Sequence, residues 1–338
     1  MERFYSQIVE KLREGHRLVL ATVIRQVGSS PGGVGSKMVI LPDGLGLGSV
    51  GGGRVEAQVM EEARGLLQSG GSRRLDFKLT GKDVLDMQMI CGGEMEILLE
   101  VLGKEDLEVF EGVREALQKG TPAVLLTGLP PKMRGRMLLI EGRKTGSLQG
   151  ADDSFLDSLS AELPREASII DLGHGEVFCE PIMKEPDLYL FGAGHIAQEI
   201  APLAKRVGFR VVVIDDRPEF ANCERFPWAD EVLVEDFERV GERIAAKADS
   251  YVVIVTRGHL HDYTVLRQYL RSPARYIGMI GSRRKRDMIY RQLLSEGFSP
   301  KDLERVHAPI GIDIGAETPQ EIAVSIVAEL IKVRRLGP

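Results

Sequence analysis

Residues 188–216 read LYLFGAGHIAQEIAPLAKRVGFRVVVIDD. An apolar run, Leu188–Phe191, meets a glycine turn. A helical pattern follows over Ile196–Val207, and a second apolar run, Arg210–Ile214, ends in two acids. The turn Gly192-Ala193-Gly194-His195-Ile196-Ala197 fits G-x-G-x-x-[GA], and Asp215 comes 23 positions after Gly192. The bare pattern is common. A strand before it, a helix after it and an acid closing the next strand form the setting in which it binds dinucleotides. There the glycines let backbone N–H groups approach a phosphate, and the helix start adds partial positive charge. Gly192 and Gly194 are therefore candidate phosphate contacts, with Asp215 or Asp216 on ribose hydroxyls. His195 stands where dehydrogenases usually carry something smaller; it either touches the ligand or faces solvent.

Strand and helix patterns alternate through the rest of this half. Tyr251–Val255 and Tyr276–Met279 read as strands, Ser282–Glu296 and Pro319–Arg335 as helices. Thr318, Pro319 and Glu321 form a capping box at the start of the last helix. The alternation predicts a doubly wound parallel sheet, Rossmann-like, over residues 186–338. Two further segments follow strands, where such sheets bind ligands. One is Val255-Thr256-Arg257-Gly258-His259-Leu260-His261-Asp262, in which Arg257 and His259 are candidate ligand contacts; its two histidines share a side only if it is extended. The other is Gly281-Ser282-Arg283-Arg284-Lys285-Arg286, in which Ser282 can cap a helix and Arg283 can meet an anion, unless the basic run is a solvated face.

The fingerprint begins past the midpoint of 338 residues, more than one core usually supports, so a second domain precedes it. Residues 1–185 mix helix and strand patterns and read as an α+β domain, with Pro181–Pro186 as linker. Within it, Gly48–Glu56 is a strand, a glycine turn and a helix start: either a second anion cradle at Gly52, Gly53 and Arg54, or a plain tight turn. Cys91 beside Gly92 and Gly93 is either an accessible thiol with sulfur or soft-metal chemistry, or an inert one. The stretch 142–165 has no firm period. Net charge is -6, which excludes a global basic field for nucleic acid. No apolar run is long enough to span a bilayer, and the N-terminus lacks an apolar signal core, so a cytoplasmic protein is expected. Three scattered cysteines exclude a disulfide framework.

Several segments together resemble the XdhC/CoxI accessory proteins of molybdenum hydroxylases. They are Ala21-Thr22-Val23 with Gly28–Pro31, Gly48–Glu56, Cys91-Gly92-Gly93, Phe178-Cys179-Glu180-Pro181, Phe191–Ile196, Arg225-Phe226-Pro227, Tyr276–Arg283, Pro309–Ala316 and Glu321–Ile326. The match runs in order along nearly the whole chain. Two positions depart from it: many members read GGCVE where this chain has Arg54 within Gly52–Glu56, and many read T-H-D-H where it has Thr256–His259.

The resemblance implies binding of the molybdenum cofactor, a molybdopterin that some members carry as a dinucleotide. It implies holding that cofactor while a cysteine desulfurase supplies sulfur, then delivering it to a hydroxylase such as xanthine dehydrogenase. It implies a homodimer, and Cys91 as the contact to the cofactor's molybdenum or sulfur, with His195, His259 and Arg283 lining the ligand cleft. The fingerprint alone also permits an NAD-dependent oxidoreductase, or a scaffold that leaves the site unused.

Overall fold

The computed structural model describes residues 1–28, 30, 32–78, 93–161, 163, 164 and 166–337. It divides into two compact units, Met1–Lys184 and Glu185–Pro338.

The first unit runs α1 (Glu2–Arg13), β1 (Leu18–Val27), β2 (Lys37–Ile40), β3 (Gly46–Gly48), α2 (Gly53–Ser69), β4 (Ser72–Lys78) and β5 (Glu94–Leu102). It continues through α3 (Leu107–Lys119), β6 (Ala123–Leu129), β7 (Gly135–Ile140), β8 (Arg143–Leu148), α4 (Asp153–Ala161), β9 (Ser168–Asp171) and β10 (Glu176–Ile182). The strands form two five-stranded antiparallel sheets, ordered β3-β2-β1-β5-β4 and β8-β7-β6-β10-β9. Tyr5, Ile8, Val9 and Leu12 of α1 share one core with Val109, Phe110 and Val113 of α3 and with inward residues of both sheets. Two charged contacts also join the sheets: Lys37 to Glu180 at 2.5 Å, and Arg136 to Glu100 at 2.8 Å. The segment without a sequence period holds β8 and α4. β8 is an edge strand, mostly exposed and paired only to β7, so burial leaves little trace in its composition.

The second unit contains β11 (Asp187–Phe191), α5 (His195–Arg206), β12 (Arg210–Asp215), β13 (Glu231–Val234), α6 (Val240–Arg243), β14 (Tyr251–Ile254) and α7 (Gly258–Tyr269). Then come β15 (Tyr276–Met279), α8 (Arg283–Ser295), α9 (Pro300–Glu304), β16 (Val306–His307) and α10 (Pro319–Leu336). The six strands form one parallel sheet ordered β13-β12-β11-β14-β15-β16. Alternate residues of each strand feed opposite faces. Leu188, Leu190, Val211 and Val213 pack with α5 and α10, while Tyr189, Phe191, Val212 and Ile214 pack with α7 and α8. The fold class is thus α/β with a doubly wound Rossmann-like sheet, beside an α+β unit. Thr318 and Glu321 exchange the hydrogen bonds of a capping box at the start of α10. Among the described residues, no helix is long and apolar enough to cross a membrane.

Gly258–Asp262 is the first turn of α7 rather than extended chain, so the condition under which its histidines share a side is not met and they point apart. His259 is exposed, while His261 lies against the Phe237 ring with centroids 5.4 Å apart. Asp262 on the same helix is fully buried. It accepts from the Thr256 hydroxyl at 2.6 Å and from Lys285, whose stem passes Gly281 so closely that a Cβ there would lie 2.6 Å from its Cδ. Burial pushes the Asp262 carboxyl above the usual range, against the pull of Lys285 and Thr256. Lys285→Met strands a buried carboxylate and should cost about 3–5 kcal/mol in urea melts. The double variant with Asp262→Asn should recover most of that loss; no recovery would show that the pair is not what the single change removes.

Candidate functional site

Counted from β11, the sheet order is 3-2-1-4-5-6. It reverses between β11 and β14, and the carboxyl ends of those strands open a crevice where such sheets bind ligands. Gly192 leaves β11 with φ +105° and donates its N–H to Ile214 O at 2.7 Å. A Cβ there would sit 2.5 Å from Val255 O and 2.8 Å from Thr256 Cα. Both the backbone angle and the close passage of the β14 exit therefore require glycine. Ala193 is fully buried, and Gly194 begins α5 in extended conformation with open space where its Cβ would be. No side chain among the described residues caps α5 or α7, so backbone N–H groups of two helices face this end of the sheet.

The acid closing β12 is committed inside the protein. Asp215, 1% exposed, accepts from Ala193 N at 2.8 Å, from Arg217 N at 3.1 Å, and from the Arg217 guanidinium at 2.8 and 3.1 Å. Burial pushes its carboxyl up; the Arg217 guanidinium and the two amides outweigh this and hold it below the usual carboxylate range. Arg217 lies 3.7 Å over the Phe220 ring, and Arg225 approaches the same ring at 5.0 Å. Arg225 also reaches Gln198 of α5 at 3.0 Å and Ala193 O at 3.4 Å. Asp216 accepts instead from Arg257 at 2.7 Å, from the far side of β11.

The glycine turn of the first unit is filled from within. Oε1 of Glu56 accepts from the Ser49 hydroxyl at 2.6 Å and from the amides of Gly52 at 2.9 Å and Val50 at 3.1 Å. Burial raises the Glu56 carboxyl, but Ser49 and these amides hold it below its ordinary value. The chain's own carboxylate occupies the cradle expected for an external anion. Gly53 opens α2 and Arg54 projects to solvent. The thiol of Cys179 is buried in β10 and pushed up to about 12, which leaves it protonated.

The model of the XdhC Rossmann domain matches residues 188–330, and that of the XdhC and CoxI family matches residues 11–78. The chain belongs to the XdhC and CoxI family. It is 28% identical to a probable xanthine dehydrogenase subunit of Bacillus subtilis (strain 168), over 99% of this chain and 98% of that protein. It is 24% identical to the molybdenum cofactor insertion chaperone PaoD of Escherichia coli (strain K12), over 96% of this chain and 86% of that one. A crystal structure of a xanthine dehydrogenase from Bacillus halodurans superimposes with a TM-score of 0.82 at 26% identity, covering 98% of this chain and 96% of that one.

In this XdhC/CoxI chain the residues singled out from sequence fall into three places. Gly192, Gly194, His195, Asp215, Arg257, His259, Ser282 and Arg283 all lie at the carboxyl edge of the parallel sheet. Ser282 is used structurally, accepting from Lys285 N at 3.2 Å as the cap of α8, while His195, His259 and Arg283 are exposed. Gly52, Gly53 and Arg54 belong to the first unit, and Cys91 lies outside the described residues. Among the described residues no cluster of His, Cys, Asp and Glu has the makings of a metal site. Sequence reasoning passed over Arg217 and Phe220 and met Arg225 only as part of the family resemblance; a cation two positions after Asp215 was the available signal.

The depressed Asp215 carboxyl has a sign that can be measured. The folded chain holds this proton less tightly than the unfolded chain, whose value is about 3.9. The stabilisation is complete above that pH and drains away as pH falls through the folded value. Asp215→Asn should lower stability at neutral pH and flatten its fall between about pH 5 and pH 2 in urea melts. An acid limb as steep as that of the wild type would place the linkage elsewhere.

Proposed function

We propose that this protein is an accessory factor that binds the molybdenum cofactor and delivers it to a hydroxylase of the xanthine dehydrogenase type. The observation that carries this reading is the crevice of the parallel sheet, where Gly194 leaves room over the uncapped start of α5. Such a site suits the phosphate of a molybdopterin, alone or extended to a dinucleotide. The relatives, a molybdenum cofactor insertion chaperone and a probable xanthine dehydrogenase subunit, support the same reading. In the fuller reading the protein is a cytoplasmic homodimer, a cysteine desulfurase sulfurates the held cofactor, and Cys91 contacts its metal or sulfur end. The turn at Gly192–Ala197 also fits NAD, and the ligand that copurifies separates the two readings.

Protein purified from a molybdenum-replete host should carry pterin and molybdenum in comparable amounts and activate a cofactor-free hydroxylase. Gly194→Val keeps the fold, since a Cβ at that position meets nothing within 4 Å, and fills the space above α5. It should weaken cofactor retention about tenfold or more, while Cys91→Ala should lower sulfuration of the held cofactor. Tight NAD binding with no pterin in the purified protein would favour the oxidoreductase instead.

A further inference from the structure

We propose that Asp216, rather than Asp215, reads the ribose of a nucleotide in this crevice, and that its ion pair with Arg257 is a clasp opened by the ligand's diphosphate. The inference rests on the reading above, in which the crevice takes a phosphate-bearing cargo, and narrows that cargo to a ribonucleotide.

The acid ordinarily expected to take ribose hydroxyls is spent. A carboxylate offers about four acceptor positions, and Asp215 receives two hydrogen bonds on each oxygen from Ala193 and Arg217. The next residue is different. Oδ2 of Asp216 accepts from Arg257, but Oδ1 is shielded from solvent and has no hydrogen-bond partner. The Arg217 Nε lies 3.7 Å from it, beyond hydrogen-bonding distance. A buried acceptor without a donor is uncommon and asks for an explanation. A hydroxyl supplied by a ligand is one that its position favours.

That position follows from the sheet. β12, β11 and β14 are neighbours in that order, so the ends of β12 and β14 stand about 10 Å apart, two strand spacings. Asp216 follows β12 and Arg257 follows β14; their contact at 2.7 Å therefore crosses the exit of β11, where the Gly192–Gly194 turn leaves the sheet. The Arg257 side chain is 43% exposed. The Asp216 side chain is 24% exposed, so the pair is open to solvent and to a competing anion only from the Arg257 side. A diphosphate on the start of α5 offers the planar guanidinium a multiply charged partner that it can bind through two N–H groups. As Arg257 turns to the phosphate it uncovers Asp216, whose two oxygens then accept from vicinal ribose hydroxyls. Phosphate capture and sugar readout become one event.

The test uses the full-length protein freed of bound ligand, with GDP, CDP and their 2′-deoxy counterparts titrated by calorimetry. The wild type should bind the ribo form about tenfold more tightly than the deoxy form. Asp216→Asn, with a melting temperature close to the wild type, should bring that ratio near one. Arg257→Gln should weaken both forms alike and reduce the salt dependence of binding. Discrimination that survives in Asp216→Asn, or wild-type binding that ignores the 2′ hydroxyl, would overturn the clasp while leaving a phosphate-bearing cargo in the crevice. Binding of none of these nucleotides, by protein that still takes up pterin and molybdenum, would overturn the ribonucleotide inference alone. Uptake of neither would overturn both readings.

Discussion

The hydrogen bond from the Ala193 amide to the buried Asp215 carboxylate fixes the geometry on which the crevice depends. It ties the glycine turn leaving β11 to the end of β12, the strand beside it. Arg217 neutralises the same carboxylate and carries Phe220 and Arg225 into place, and Arg225 returns to Ala193 O and Gln198. The loop after β12 and the first turns of α5 are thereby locked through a single acid. A charge so deeply buried is tolerable only when paired and hydrogen-bonded, and here both conditions hold.

The same economy recurs. Glu56 fills the glycine turn before α2, Asp215 fills the turn before α5, and Asp262 joins the exit of β14 to α8 through Lys285. Each is a carboxylate set against backbone or side-chain donors that an outside anion could otherwise take. Charge and glycine content alone therefore overstate the number of ligand sites. What marks the crevice is that two helices without a side-chain cap, α5 and α7, start side by side at one end of the sheet, whereas Ser282, Ser299 and Thr318 cap α8, α9 and α10.

Much of the parallel sheet was legible because buried strands of β-branched residues and amphipathic helices leave strong periods, and α10 announces its start with Thr318, Pro319 and Glu321. Two strands were not. β13 is an edge strand with no fully buried residue, unlike the equally short but buried β14 and β15, and β16 pairs through only two residues. α7 was not read as a helix: the apolar residue of its first turn, Leu260, is exposed, and its buried apolar face begins only at Val265. The candidate residues at the sheet edge could be named from motif and strand order. The commitment of Asp215 to Arg217, and of the glycine turn to Glu56, depends on where long side chains turn back, which no spacing rule encodes. Glu56, an acid in the first turn of a helix after three glycines, did leave a readable trace.

The bare starts of α5 and α7 also bear on how firmly a cargo is kept. A phosphate bound as proposed above would supply the hydrogen bonds that the sequence omits there and so complete those turns. Affinity for the cargo and local rigidity of the carrier are then a single linked quantity. On the proposed reading, a partner that pulls these two turns apart would need no contact with the cofactor to make it leave: fraying the helices would itself unload the carrier.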